Sequence, residues 1–195
     1  METFLCKKII FLFSIVFSLV ILVSFSSIKT PKKNQIFYTN SGEVSFHSEA
    51  AEELIDAQSK ELRAIINADS MGFSFVVRIE SFDGFNVELQ KTHFNENYME
   101  SSKFPNAIFQ GKIIDEVDFS KDGVYVVRAK GVLNIHGVEK ERIIKTTLSI
   151  NNNIVTVYSK FDVLTMDHNI KIPRIVHDKI ASDIIVEVKA ALKKK

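Results

Sequence analysis

The sequence predicts an all-β domain in which antiparallel strands form a barrel or a sandwich, interrupted by two short helical insertions. Apolar and polar residues alternate in several runs, and this period of two is typical of half-buried strands. Short turn segments such as 121–123 and 151–153 separate the runs, which favours antiparallel pairing of successive strands. The alternation breaks at 85–99 and at 173–181, so we expect a barrel whose ends are partly covered there.

The strands are predicted from the residues that keep the alternation. Phe73, Phe75 and Val77 lie on one side of their run, while Ser74 and Arg78 lie on the other. The same pattern predicts clear strands at 73–79, 107–113, 125–135, 155–163 and 184–188, and weaker strands at 35–38, 43–47, 61–68 and 142–150.

Both interruptions have helical features. In the first, Phe85, Leu89 and His93 fall four residues apart and would share one face of a helix. In the second, Pro173 can begin a helical turn, and the apolar stripe of that turn would be Ile175, Val176 and Ile180. We therefore predict a helix-and-loop lid ahead of the strand that starts at 107, and a second covering segment near the C-terminus.

The first 27 residues predict a signal peptide, followed by a linker at 28–34 and one barrel domain at 35–192. Lys7 and Lys8 precede an apolar run at 9–23, and serines follow that run. The run is shorter than the ~20 apolar residues that span a bilayer comfortably, which favours cleavage over an N-terminal membrane anchor. In both cases we expect the domain to be exported, in the periplasm or otherwise outside the cytoplasm.

Composition excludes several classes of site. The one cysteine, Cys6, lies in the predicted signal peptide, so the domain has no thiol for a disulfide, a nucleophile or a metal. Without Glu2, Lys7 and Lys8, the 25 basic and 24 acidic residues become 23 of each. This balance provides no basic face for nucleic acid, which we therefore exclude as a partner.

The segment HFNENYMESSKFPNA, residues 93–107, is the best candidate for chemistry in the chain. Glu96 and Glu100 could act as an acid–base pair and His93 could bind a metal, but no second histidine lies at ligand spacing. A structural alternative has Asn97 capping a turn, with Glu100 three residues later completing a capping box. Because GxSxG, HExxH and glycine-rich phosphate motifs are also missing, we expect no catalytic residues, no metal and no cofactor.

The apolar side of the strands carries small residues among bulky ones. The small residues are Gly111, Ala129, Gly131 and Ser159. Small residues on an inward face leave volume, and a barrel of about eight strands can hold one small ligand. Alternatively, such residues let the barrel wall bend, and the interior is then filled by side chains. The residues alone leave both interpretations open.

Three segments resemble the YceI-like family: HFNENYMESSKFPNAIFQGKI at 93–113, GVYVVRAKGVLNIHGVEKE at 123–141 and FDVLTMDHNIKIPRIVHDKIASDIIVEV at 161–188. The resemblance extends from about Phe37 to Val188. Within the family, the chain is similar to the shorter variants of Bacteroidetes-like bacteria. It implies a lipocalin-like antiparallel β-barrel, export to the periplasm, and an apolar lumen that holds a polyisoprenoid chain such as an isoprenoid quinone.

The alternation and the resemblance together predict an exported lipid-binding protein, with an isoprenoid or another long-chain lipid as its partner and transient membrane contact. The predicted lumen residues are Phe73, Phe75, Val77, Phe109, Tyr125, Val127, Leu133 and Phe161. The predicted lid and mouth residues are Phe85, Leu89, Lys91, His93, Phe94 and Tyr98, of which Lys91 and His93 would meet a polar head group. An alternative is a ligand-free, stress-related or interaction protein with a packed barrel. The oligomeric state is open.

Overall fold

The computed structural model describes residues 35–195, and the predicted signal peptide at 1–27 and linker at 28–34 lie outside the described residues. Eight antiparallel strands close into a barrel in which each strand pairs with the next along the chain and the last pairs with the first. The strands are β1 (Ile36–Glu49), β2 (Leu54–Asn67), β3 (Gly72–Arg78), β4 (Asn106–Ile113), β5 (Gly123–Ile135), β6 (Val138–Asn151), β7 (Ile154–Leu164) and β8 (Asp183–Lys194). The predicted all-β, lipocalin-like barrel is confirmed.

The two ends of the barrel carry connections of very different length. The end that we call the mouth carries the connections 50–53, 79–105, 136–137 and 165–182, and the opposite end, the floor, carries 68–71, 114–122 and 152–153. Successive strands run in opposite directions, so alternate connections lie at the same end. The two longest connections contain the stretches where the sequence alternation breaks, and both of them therefore lie at the mouth.

The longer mouth connection, 79–105, contains the predicted lid. Helix α1 spans Glu88–His93 and continues directly into a π-helical turn at Phe94–Tyr98. The predicted capping box is wrong, because Asn97 lies inside the π-helical turn rather than ahead of a new one. Glu100 lies beyond the turn, with a φ of 43° in the left-handed region. Its carboxylate bonds to Lys103 and to His136, not to the backbone of the turn.

The second mouth connection, 165–182, contains 3-10 turns at Thr165–His168 and Arg174–Val176. Pro173 precedes the second turn in an extended conformation, and the turn ends after three residues. The predicted helical stretch at 173–181 is therefore shorter than expected. Among residues 35–195, no helix is long and apolar enough to cross a membrane.

Apolar side chains fill the barrel at its floor. Phe37 of β1, Val155 of β7 and Leu192 of β8 are all 0% exposed. Phe119, from the connection 114–122, packs its ring against Phe37 with 5.7 Å between the ring centroids. Close packing of this kind leaves no room for solvent. The floor is therefore closed by side chains from both the strands and the connection beneath them.

Strands β1 and β2 change the side that faces the interior halfway along their length. In β1 the buried positions change from odd to even numbers between Thr39 and Gly42, where the pairing with β2 shifts register. In β2 the same change falls between Ser59 and Leu62. An extra residue at a bulge turns all following side chains to the other face. The alternation therefore predicted only fragments of β1 and no strand at 54–60.

Gly111 of β4 and Gly131 of β5 pair with each other at a close approach of the two strands. A Cβ atom on Gly111 would lie 2.1 Å from the carbonyl oxygen of Lys130, a distance that no side chain can adopt. These two glycines therefore let the barrel wall bend. The other small residues of the inward series, Ala129 and Ser159, line an interior cavity.

Candidate functional site

The barrel encloses an apolar cavity of about 580 Å³ that opens at the mouth. All eight strands contribute side chains to its lining, and so do three of the four mouth connections. Most of these side chains are Val, Ile, Leu or Phe. The volume lies within the range of about 300–1,000 Å³ that is typical of small-molecule sites. The cavity therefore has the size and the chemistry to bind an apolar ligand.

Seven of the eight predicted lumen residues line this cavity. They are Phe73, Phe75, Val77, Phe109, Val127, Leu133 and Phe161. Tyr125, the eighth, lies near the floor end of β5, where its hydroxyl donates a hydrogen bond to the carbonyl oxygen of Lys121 at 3.3 Å. Alternation predicts which side of a strand faces inward but not the height of a residue along the barrel. It therefore cannot distinguish Tyr125 at the floor from the residues around the cavity.

Five of the six predicted lid and mouth residues also line the cavity. They are Phe85, Leu89, His93, Phe94 and Tyr98. Lys91 does not, because its ammonium forms an ion pair with Asp83 at 3.2 Å on the surface of the lid. Lys91 is two residues from Leu89 and from His93 on helix α1, and residues at that spacing do not share a helix face.

Four phenylalanine rings join the lid to the barrel wall. The ring centroid of Phe94 lies 5.3 Å from that of Phe46 on β1, 5.8 Å from that of Phe82 and 5.2 Å from that of Phe85. Aromatic pairs at such distances contribute about 0.5–1.5 kcal/mol each beyond the area they bury. Phe94 therefore connects three parts of the chain above the cavity.

The sequence analysis missed cavity residues in two regions. The first is the connection 165–182, which contributes Ile170, Ile172, Val176 and Ile180. The helical stripe predicted there includes Val176 and Ile180, but no single strand or helix period relates all four residues, so the sequence did not place them in the lumen. The second is the β1–β2 pair, whose bulge hides the inward positions Val44, Phe46, Ile55 and Leu62.

Few polar groups face the cavity. The hydroxyls of Thr146 and Ser159 lie 3.3 Å apart on its wall, and the Ser159 hydroxyl also donates to a backbone carbonyl of β6 at 3.1 Å. The charged lining residues, Glu53 and Lys179, both belong to mouth connections. The side-chain amide of Gln90 donates to Glu53 Oε1 at 2.5 Å. An amphiphilic ligand would therefore place its apolar chain in the barrel and its polar end at the mouth.

Glu100, His136 and His168 link three mouth connections by hydrogen bonds. Nδ1 of His136 donates to the carbonyl oxygen of His168 at 3.1 Å, and Nε2 of His136 lies 3.0 Å from Oε2 of Glu100. A carbonyl oxygen and a carboxylate oxygen both accept, so His136 satisfies both only when each of its ring nitrogens carries a proton. The sequence analysis did not predict this cluster, because 36 and 32 positions separate the partners.

The surroundings shift the pKa of two members of this cluster. Hydrogen bonds from Lys103 and His136 hold the pKa of the Glu100 carboxyl below its usual value of 4.5. Burial lowers the pKa of His168 below its usual value of 6.5, so His168 stays neutral near neutral pH. Its Nδ1 donates to the carbonyl oxygen of Val138 at 3.1 Å. Within residues 35–195, no group of three His, Cys, Asp or Glu residues could hold a metal ion.

Several solved structures share this fold at low sequence identity. A polyisoprenoid binding domain from Saccharophagus degradans, implicated in plant cell wall breakdown, is 12% identical, with a TM-score of 0.70 over 84% of this chain and 100% of its own. BcnA of Burkholderia cenocepacia is 15% identical, with a TM-score of 0.63 over 77% of this chain and 95% of its own. The YceI protein of Campylobacter jejuni is 14% identical, with a TM-score of 0.56 over 71% and 84%.

At these identities the structural likeness shows the fold alone. A comparison with curated proteins found no match. A family model described as the YceI-like domain matches residues 23–192, which is most of the chain. The match includes all three segments on which the sequence resemblance rests. That resemblance is confirmed, and the chain belongs to the YceI-like domain family.

Proposed function

We propose that this chain is an exported lipid-binding protein that holds an isoprenoid or a similar long apolar chain inside its barrel. The observation that carries the proposal is the apolar cavity of about 580 Å³, which is open at the mouth and closed at the floor. The related domain from Saccharophagus degradans is described as binding a polyisoprenoid, which supports the same class of ligand for this chain.

Binding in such a cavity is passive and requires no chemistry on the ligand. Burying one methylene is worth about 0.8 kcal/mol, so ten buried methylenes supply about 8 kcal/mol. Association costs at least about 4 kcal/mol in lost translational and rotational freedom. Ten carbons therefore give a dissociation constant of only about 1 mM, whereas about 15 carbons give a net of about 8 kcal/mol and a dissociation constant of about 1 μM. We infer a carrier or a store without enzymatic activity.

The wall and the lid have different roles in this proposal. Phe75 and Phe109 line the wall and contact the apolar chain. Phe94 and the rings around it cover part of the mouth and reduce the contact of the bound chain with water. His93 meets the polar end of the ligand, because it lines the cavity on the lid. Lys91, which the sequence predicted beside it, has no such role because its ammonium pairs with Asp83.

The proposal extends to a periplasmic location and to transient contact between the mouth and a membrane. Exposed apolar side chains stand on the mouth connections and beside them: Leu54, Val87, Leu89 and Ile175, the last of which is 92% exposed. Exposed apolar side chains can mark a site of interaction with a membrane. Next to an opening into an apolar lumen, they would let a lipid enter without crossing water.

The alternative is an interaction protein with a packed barrel and no ligand. It requires the lumen to be filled by side chains, as the floor is. The open volume above the floor favours the lipid-binding function instead. Dye binding separates the two functions, because a filled lumen takes up no dye.

Displacement of an apolar fluorescent dye by a long-chain lipid tests the proposed function. Phe109→Lys places a charge on the cavity wall and should weaken dye binding by at least about tenfold, because an unpaired charge is costly to bury. Val126→Lys is the matched control, because Val126 is 60% exposed on the outer side of β5. A folded Phe109→Lys protein that binds dye as well as the control would contradict the proposal.

A further inference from the structure

The cavity reaches the floor end of the barrel and is closed there by side chains. Its deepest lining residues include Ile66, Ile113 and Leu148. Phe37 pairs with Ile66 across the β1–β2 ladder, and its ring packs against Phe119 and closes the cavity at that level. Phe37 is 0% exposed, so no passage continues past it. A chain that enters at the mouth therefore meets a solid end.

The cavity also has a limited capacity. A methylene group occupies about the volume of one water molecule in the liquid, roughly 30 Å³. A volume of about 580 Å³ therefore holds on the order of 20 such groups. Two long chains side by side would each have room for only about half that length.

The charged lining residues restrict the direction of the ligand. Glu53 and Lys179 both lie on mouth connections, and the remaining polar groups on the strands are hydroxyls such as those of Thr146 and Ser159. A charged or strongly polar group would lose its hydration if it went past them to the apolar floor. The chain therefore enters with its apolar end first.

We propose that the lumen selects its ligand by length and takes one apolar chain of roughly 15–20 carbon atoms, with its polar end at the mouth. This inference rests on the proposed function and names the ligand class within it. The class is a single-chain amphiphile, such as a fatty chain or an isoprenoid of about three or four units. A longer polyisoprenoid leaves its remaining carbons outside the mouth.

A series of alcohols with apolar chains of ~10 to ~40 carbon atoms, used to displace the dye, tests this inference. Affinity should rise about fourfold per added methylene up to roughly 20 carbons and stay level beyond that. An affinity that keeps rising well past this length overturns the length limit and leaves the proposed function intact. If no member of the series binds, the proposed function fails and the length limit fails with it.

We call the chain length at which the affinity stops rising the break. Two substitutions should shift the break in opposite directions. Leu148→Ala removes three carbons from the deep wall and should shift the break to chains longer by about three carbons. Ala129→Leu adds three carbons to the wall and should shift the break by about the same amount to shorter chains. Ile143→Ala is the control, because Ile143 is 59% exposed on the outer side of β6. A break that stays in place in both folded variants overturns the inference.

Discussion

The floor and the mouth of this barrel are built in different ways. At the floor, fully buried side chains such as Phe37 and Leu192 fill the space between the strands. At the mouth, the long connections are held by the partly exposed rings of Phe94 and Phe46, by the buried ring of Phe82, and by the hydrogen bonds of His136. Fully buried contacts carry the most folding free energy, whereas partly exposed ones open more easily. The floor therefore contributes most to the stability of the barrel, and the mouth provides access to the cavity.

The largest effect is expected from a change at the floor. Phe37→Ala should lower the free energy of unfolding by about 3–5 kcal/mol, because it removes a fully buried ring and leaves a cavity against Phe119. Phe94→Ala, at the partly exposed lid, should lower it by a smaller amount, about 2–3 kcal/mol, through the loss of its three ring contacts. Urea unfolding followed by circular dichroism measures both values. Equal losses in the two variants would contradict the separation of floor and mouth.

A smaller effect is expected when the pH falls, and it acts at the mouth. The pKa of His168 is lowered in the folded protein, so the unfolded chain binds more protons, and stability is lost as the pH falls below 6.5. The lowered pKa of Glu100 adds a second loss below 4.5, as the pH falls through the folded value.

Unfolding midpoints across neutral and acidic pH measure this effect in two variants. His168→Gln should flatten the pH dependence in the upper part of the range, and Glu100→Gln should flatten it in the lower part. Phe37→Ala is the comparison, because it should lower the midpoint at every pH and leave the slope unchanged. If the slopes stay at the wild-type value in both mouth variants, His168 and Glu100 do not cause the pH dependence of stability.

The smallest effect is expected from Lys91. Lys91→Ala should leave the binding of lipid and the unfolding midpoint nearly unchanged, because its surface ion pair with Asp83 contributes little. His93→Ala is the comparison within the same helix, because His93 lines the cavity. It should weaken the binding of a lipid with a polar end, measured by dye displacement. A loss of lipid binding in Lys91→Ala would show that Lys91 contacts the polar end of the ligand.

Strict alternation was enough to predict most of the barrel. Every second residue faces inward without interruption in β3, β4, β5 and β7. The inward residues of these strands could therefore be predicted from the sequence. β1 and β2 could not, because the bulge near Gly42 changes the parity within each strand. Tyr125 shows the other limit of the method, since its side was predictable but its height at the floor was not.

The polar cluster at the mouth was beyond prediction for a different reason. Glu100, His136 and His168 lie on three separate connections, and no local spacing relates them. They meet because antiparallel strands return the chain to the same end of the barrel. Lys91 was predicted at the mouth although it is two residues from both Leu89 and His93, and on a helix that spacing puts it on a different face from them.

Lipid mass spectrometry of the purified protein tests the central claim most directly. The chain is expressed with its N-terminal segment in a bacterium, purified without detergent, extracted with organic solvent and compared with Phe109→Lys prepared in the same way. The account predicts one long-chain lipid per wild-type protein and a strong depletion of that lipid in the variant. An extract without lipid, obtained again after exposure of the folded protein to lipids of the native host, would contradict it.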